Sequence, residues 1–219
     1  MKADGGATAE EAEADEPELA ELNIRPREAP DAPSPQALDV CGEVASCCLD
    51  AQKRAEASTA VLAVLQGEHA RLELSDMRIE RLPASLSAVA PMLTHLDLSC
   101  NRLEALPQVI CTLALLEELQ LFGNQLTCLP DAIAGLRVLR KLQAVANRLV
   151  ELPATIGQLA CLEVLDVEDN ALTSLPSTLG ALPRLSTLRA DGNPLQAPPP
   201  EVVRLGPAAV RAHFEAAPK

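Results

Sequence analysis

From residue 69 onward, apolar and polar positions follow one rhythm. Set one copy under another, the chain reads LTHLDLSCNRLEALP (93–107), LEELQLFGNQLTCLP (116–130), LRKLQAVANRLVELP (139–153) and LEVLDVEDNALTSLP (162–176). A less regular copy, LSTLRADGNPLQAPP (185–199), follows them. One more, HARLELSDMRIERLP (69–83), precedes them and carries Met77 where the others carry Asn. Leucines first alternate with polar residues, the period of a half-buried strand, so that Leu119 and Leu121 face one way and Gln120 and Phe122 the other. The next two leucines, such as Leu126 and Leu129, then turn the chain under that strand. An Ile or Leu in PQVICTL, PDAIAGL, PATIGQL or PSTLGAL closes the coil from the far side. A single copy cannot bury its own leucines. Stacking buries them at about 1.5–3 kcal/mol each, so the period predicts a solenoid.

The asparagines at 101, 124, 147, 170 and 193 recur every 23 residues. An amide at that point can bond backbone groups that the tight turn after each strand leaves unpaired inside the coil. Asn101, Asn124, Asn147, Asn170 and Asn193 are therefore predicted to form a structural ladder. The copies resemble the leucine-rich repeat, LxxLxLxxNxLxxLP, and more closely the 23-residue form of intracellular Ras-group leucine-rich-repeat proteins, in which LP is followed by PxxIxxL. That resemblance covers about two thirds of the chain. It implies an α/β fold: a curved solenoid with parallel strands on its concave face and helical caps at both ends. It also implies a non-enzymatic protein-binding role, with small-GTPase signalling as the family's setting.

The flanks have a different texture. Residues 1–35 carry ten acidic and three basic side chains and few branched ones, too little apolar surface to offset ordering entropy, so they are predicted to be a disordered acidic arm. Residues 36–68 turn to helix formers and are predicted as an N-terminal helical cap. Within it, STAVLAVLQG shows a start at Ser58 or Thr59 and a stop at Gly67, readable as helix or strand. Six repeats fill 69–200. A C-terminal helical cap follows over 201–219, with Pro207 opening a helix after Gly206 and with Val210 and Phe214, four residues apart, set to pack on the last coil.

Charge and cysteine content narrow the chemistry. A net charge of -13 argues against nucleic acid, whose phosphates need clustered Lys and Arg, and against anionic membrane surfaces. No apolar run is long enough to span a bilayer, and the N-terminus has no apolar targeting core, which points to a cytoplasmic location. The seven cysteines are odd in number and lack CxxC pairs; they are expected to be free thiols, with Cys47 and Cys48 facing the core and Cys111, Cys128 and Cys161 filling slots that small residues occupy in other repeats. No phosphate loop, nucleophile elbow or metalloprotease motif is present, and His69, His95 and His213 lie far apart in register. A His95–Asp97 pair near Cys100 would lie on a face too shallow for a thiol site. We therefore expect no catalytic residues, no metal and no cofactor.

What remains is the outward strand face. Its central row runs Glu73, Asp97, Gln120, Gln143, Asp166, Arg189, and the row after it runs Ser75, Ser99, Phe122, Val145, Glu168, Asp191. Strands about 4.8 Å apart would bring Phe122 and Val145 together as an apolar island, with Gln120 and Gln143 beside it and Asp166, Glu168 and Asp191 beyond. An aromatic anchor ringed by polar groups is typical of an interface hot spot. The expectation is a small intracellular adaptor or scaffold, monomeric on its own, that binds a protein partner bearing basic residues on this face. A structural subunit of a large ciliary or ribonucleoprotein assembly is the alternative.

Overall fold

The computed structural model describes residues 35–216 with the exception of Leu49, all within one compact unit, Ala32–Lys219. The predicted acidic arm lies outside the described residues. Two helices come first, α1 (Pro35–Ser46) and α2 (Ala51–Leu65). Six short strands follow: β1 (Arg71–Glu73), β2 (His95–Asp97), β3 (Glu118–Gln120), β4 (Lys141–Gln143), β5 (Val164–Asp166) and β6 (Thr187–Arg189). They form one parallel sheet in sequence order. Helices α3 (Pro200–Arg204) and α4 (Pro207–Ala216) close the chain.

Each strand returns to the next through a single 3-10 turn: Ala84–Val89, Gln108–Thr112, Asp131–Gly135, Ala154–Gln158 and Ser177–Ala181. The proline before each one explains its start. Pro130 sits extended at φ -70, ψ 149, and its carbonyl accepts the Ile133 amide at 2.9 Å. Proline has no N–H to lose at a helix entry and its ring fixes φ, so the turn is nucleated where an orphan donor would otherwise stand. Between strand and turn the leucines are fully enclosed: Leu116, Leu119, Leu121, Leu126, Ile133 and Leu136 are all 0 % exposed.

The asparagine ladder holds successive coils together. Asn147 Oδ1 accepts the Leu126 amide of the preceding repeat at 3.1 Å, while its Nδ2 donates to Leu121 O (2.8 Å), Ala144 O (3.1 Å) and Val145 O (3.2 Å). Asn124, Asn170 and Asn193 repeat the arrangement. Every asparagine thus bonds backward, into the coil before it. Met77 follows from this polarity. No repeat precedes the first, so an amide there would lack its backward partner, and a buried thioether fills the space instead. The residue before each asparagine lies in the left-handed region: Cys100 (φ 56), Gly123 (65), Ala146 (54), Asp169 (53) and Gly192 (72). Only two of these five are glycine, so three side chains are held where L-residues are strained.

The N-terminal cap differs in detail from the sequence reading. Helix α2 begins at Ala51, not at Ser58 or Thr59, and 58–65 is helix rather than strand. Asp50 starts it by accepting the Gln52 amide at 2.8 Å. Ser58 lies inside the helix, where its hydroxyl donates to the Cys41 carbonyl of α1. Ala57, Val61 and Val64 seal the first coil. Lys53 then ties α2 to the first turn through the Asp76 carboxylate (2.6 Å) and the Asp76 carbonyl. At the other end Val210 is buried and Phe214 packs against the core, as the spacing predicted, and Val203 of α3 is buried as well. Arg211 clamps α4 to the last 3-10 turn, donating to Gly180 O and Leu182 O at 2.8 Å each.

Candidate functional site: the outward face of the sheet

Because every strand pair is parallel and in the same register, the central row read from the sequence is a physical row: Glu73, Asp97, Gln120, Gln143, Asp166 and Arg189 stand in one line, and Arg71, His95, Glu118, Lys141, Val164 and Thr187 form the line before it. Beyond the central row lies an open depression of about 500 Å³ lined by Ser75, Asp97, Ser99, Gln120, Phe122, Gln143, Val145, Asp166 and Glu168. Six of the seven predicted partner-binding residues line it: Phe122, Val145, Gln120, Gln143, Asp166 and Glu168. Phe122 is 46 % exposed. Leu205, Val150 and Leu115 are at least as exposed; what distinguishes Phe122 is its seat in a concavity beside a second apolar side chain.

The acidic end is less simple than a rim of free carboxylates. Asp166 is only 3 % exposed; its Oδ1 accepts the Glu168 amide at 3.4 Å and its Oδ2 lies 3.5 Å from Arg189 Nη1. Asp97 makes the same local bond, accepting the Ser99 amide at 2.8 Å. An aspartate at this position therefore stays on the face but spends an oxygen on its own strand end. Asp191 is not among the lining residues. Its carboxylate accepts from Arg204 Nε of α3 at 2.9 Å. Glu168 carries the free charge of the group, and burial, followed by the neighbouring Asp166, pushes its carboxyl above the usual range. A cation arriving here would relieve that repulsion.

Ser75, Asp97 and Ser99 also belong to the depression, although nothing in their residue types singles them out; their place in the rows is the available signal. Nothing on the face assembles into a nucleophilic site. His95 Nδ1 lies 2.8 Å from Thr94 Oγ1 and its Nε2 3.6 Å from Glu118, while Cys100 sits exposed on the turn. All seven thiols are free. Cys48 and Cys111 are buried as expected, and burial pushes Cys111 up to about 11. Cys128 is exposed and so fills no interior slot, a correction to the sequence reading. Among the described residues no group of three or more His, Cys, Asp or Glu side chains converges as a metal cage would require, and no helix is long and apolar enough to cross a membrane.

Comparison with known proteins places the architecture. Residues 70–126 and 91–149 match the leucine rich repeat family. Among solved structures, a leucine-rich-repeat protein of Leptospira interrogans is similar with a TM-score of 0.61 and 32% identity, over 66% of this chain and 37% of that one. A chain of the BIR3–SERK2 complex from Arabidopsis thaliana is similar with a TM-score of 0.51 and 31% identity, over 58% of this chain and 70% of that one. YopM from Yersinia enterocolitica gives a TM-score of 0.51 at 29% identity, over 66% of this chain and 29% of its own length. This chain thus spans well under half of the Leptospira and Yersinia proteins. No curated protein sequence matches the chain.

Proposed function

Since the chain is a leucine-rich-repeat protein, we propose that it is a non-enzymatic binding module that seats a protein partner on the outward face of its sheet. Leucine-rich repeats generally mediate protein–protein contact, and one of the similar structures is itself a complex between two proteins. The observation that carries the reading is the depression in which a half-exposed Phe122 sits beside Val145, flanked by Gln120 and Gln143 and bounded by Glu168. Phe122 supplies apolar area at little cost in side-chain entropy, and the two glutamines offer both donors and acceptors. Glu168, with Asp166 behind it, favours a partner segment bearing Lys or Arg. Asp191 joins such a contact by releasing Arg204.

On this reading the protein is a small intracellular adaptor or scaffold. The setting of small-GTPase signalling rests only on the repeat's resemblance to the Ras-group class. Affinity capture from native lysate, run in parallel with the wild-type chain and with Phe122→Ala/Val145→Ser, tests the face. The double variant should lose the partners that the wild type retains. Identical captures by the two, with circular dichroism unchanged, would refute the proposal.

A further inference from the structure

Strand β1 is the first of the sheet and, among the described residues, is paired on one side only, to β2. The Leu74 and Asp76 amides donate toward β2, to Asp97 O (2.8 Å) and Ser99 O (2.9 Å), and Ala70 O accepts from the same side. Alternate residues of a strand direct their backbone groups to opposite edges. The N–H and C=O of Arg71 and Glu73 therefore point away from β2. Among the described residues nothing meets them. Helix α2 packs against the core with Ala57, Val61 and Val64 but offers only Ala60 and Ala63 to this edge. An opening of about 520 Å³ remains there, bounded also by Glu68, His69, Arg71 and Glu73. Unpaired strand edges invite a further strand, and the opening lies along this one.

We propose that the occupant is a second copy of this chain, paired β1 to β1 in antiparallel fashion about a two-fold axis at Leu72. The edge is complementary to itself in that register and in no neighbouring one. Arg71 stands opposite the partner's Glu73, and Glu73 opposite the partner's Arg71. These are the positions whose backbone groups point outward, so both pairs are of the hydrogen-bonded kind and together make four N–H···O bonds. Both side chains are exposed in the single chain, and neither has an ion-pair partner among the described residues. Sliding the partner by two residues would set Arg71 against Arg71 or Glu73 against Glu73, which like charges oppose. Leu72 keeps its place in the core, so pairing displaces nothing. The contact is isologous and closes as a dimer, joining two six-stranded sheets into one. It departs from the expectation of a monomer and is independent of the partner proposed for the outward face.

Sedimentation equilibrium of the full chain at about 0.15 M salt, where the repulsion between two net charges of -13 is screened, tests it. The weight-average mass should rise with concentration toward twice 23.1 kDa. Arg71→Glu alone and Glu73→Arg alone should each weaken association at least tenfold. An equimolar mixture of those two variants should regain wild-type association, because every pair then again sets Glu against Arg. The chain carrying both substitutions should likewise regain it, which also shows that the altered edge still folds. A wild-type chain that stays at monomer mass up to about 1 mM overturns the proposal. So do single variants that associate like the wild type, or a mixture that does not recover.

Discussion

Replacing a ladder asparagine by leucine, which matches its shape and removes its hydrogen bonds, should cost different amounts at different rungs. In the interior, Asn147→Leu takes donors from three carbonyls, but each keeps another: Leu121 O from Asn124 (3.1 Å), Ala144 O from Asn170 (2.9 Å) and Val145 O from the Gly123 amide (3.0 Å). Only the Leu126 amide is left with no partner. One stranded buried group costs about 1–3 kcal/mol. Asn101→Leu strands three, because Met77 N and Ile79 N both donate to its Oδ1 and Leu74 O has no other donor among the described residues. Its expected cost is about 3–9 kcal/mol, a large part of an ordinary domain's stability. Asn193→Leu strands two, Leu172 N and Ala190 O, at a site half-buried like that of Asn147, for an expected cost of about 2–6 kcal/mol. Urea denaturation followed by circular dichroism should therefore rank the midpoints Asn147→Leu highest, Asn193→Leu next and Asn101→Leu lowest. Equal losses within about 0.5 kcal/mol, or an interior rung costing more than Asn101, would refute the backward-bonding account.

Two further outcomes follow from the turn and the thiols. Ala146, at φ 54, holds an L-residue where about 1–2 kcal/mol of strain is usual, and glycine there gives up about 0.5–1 kcal/mol in chain entropy; Ala146→Gly should thus be neutral to slightly stabilising, and a fall in thermal midpoint of several degrees would contradict this. Cys100 and Cys128, exposed, should be alkylated in the native protein at pH 8, while Cys48 and Cys111 should react only on unfolding; mass spectrometry of the labelled peptides reads this directly, and early labelling of Cys111 would place its thiol outside the core.

The strand register is legible in the sequence because the 23-residue period leaves no freedom: a slip of one residue would bring Gln120 into the core and put Leu119 in water. The same period placed Phe122 and Val145 in one depression. Where the period is absent the sequence was a weaker guide. The break between α1 and α2 holds neither Gly nor Pro, and its one signal was Asp50, a capping residue outweighed by the apparent start at Ser58. Alternation correctly assigned Asp166 to the outer face, yet its burial depends on Arg189 one strand away and on its own chain's Glu168 amide, contacts no pattern of polarity encodes. Cys128 failed as a filler for the opposite reason: its slot faces solvent, so nothing there required a small residue.

The backward direction of the ladder also sets an order in time. The Leu149 amide reaches its bond only when Asn170, 21 residues further along, has been made. At a synthesis rate of about 5–20 residues per second, each coil waits about 1–4 s for the side chain that completes it. The finished front of the nascent solenoid thus trails the emerged part of the chain by one repeat throughout translation. The last repeat waits on no asparagine at all, and α3 and α4 complete it.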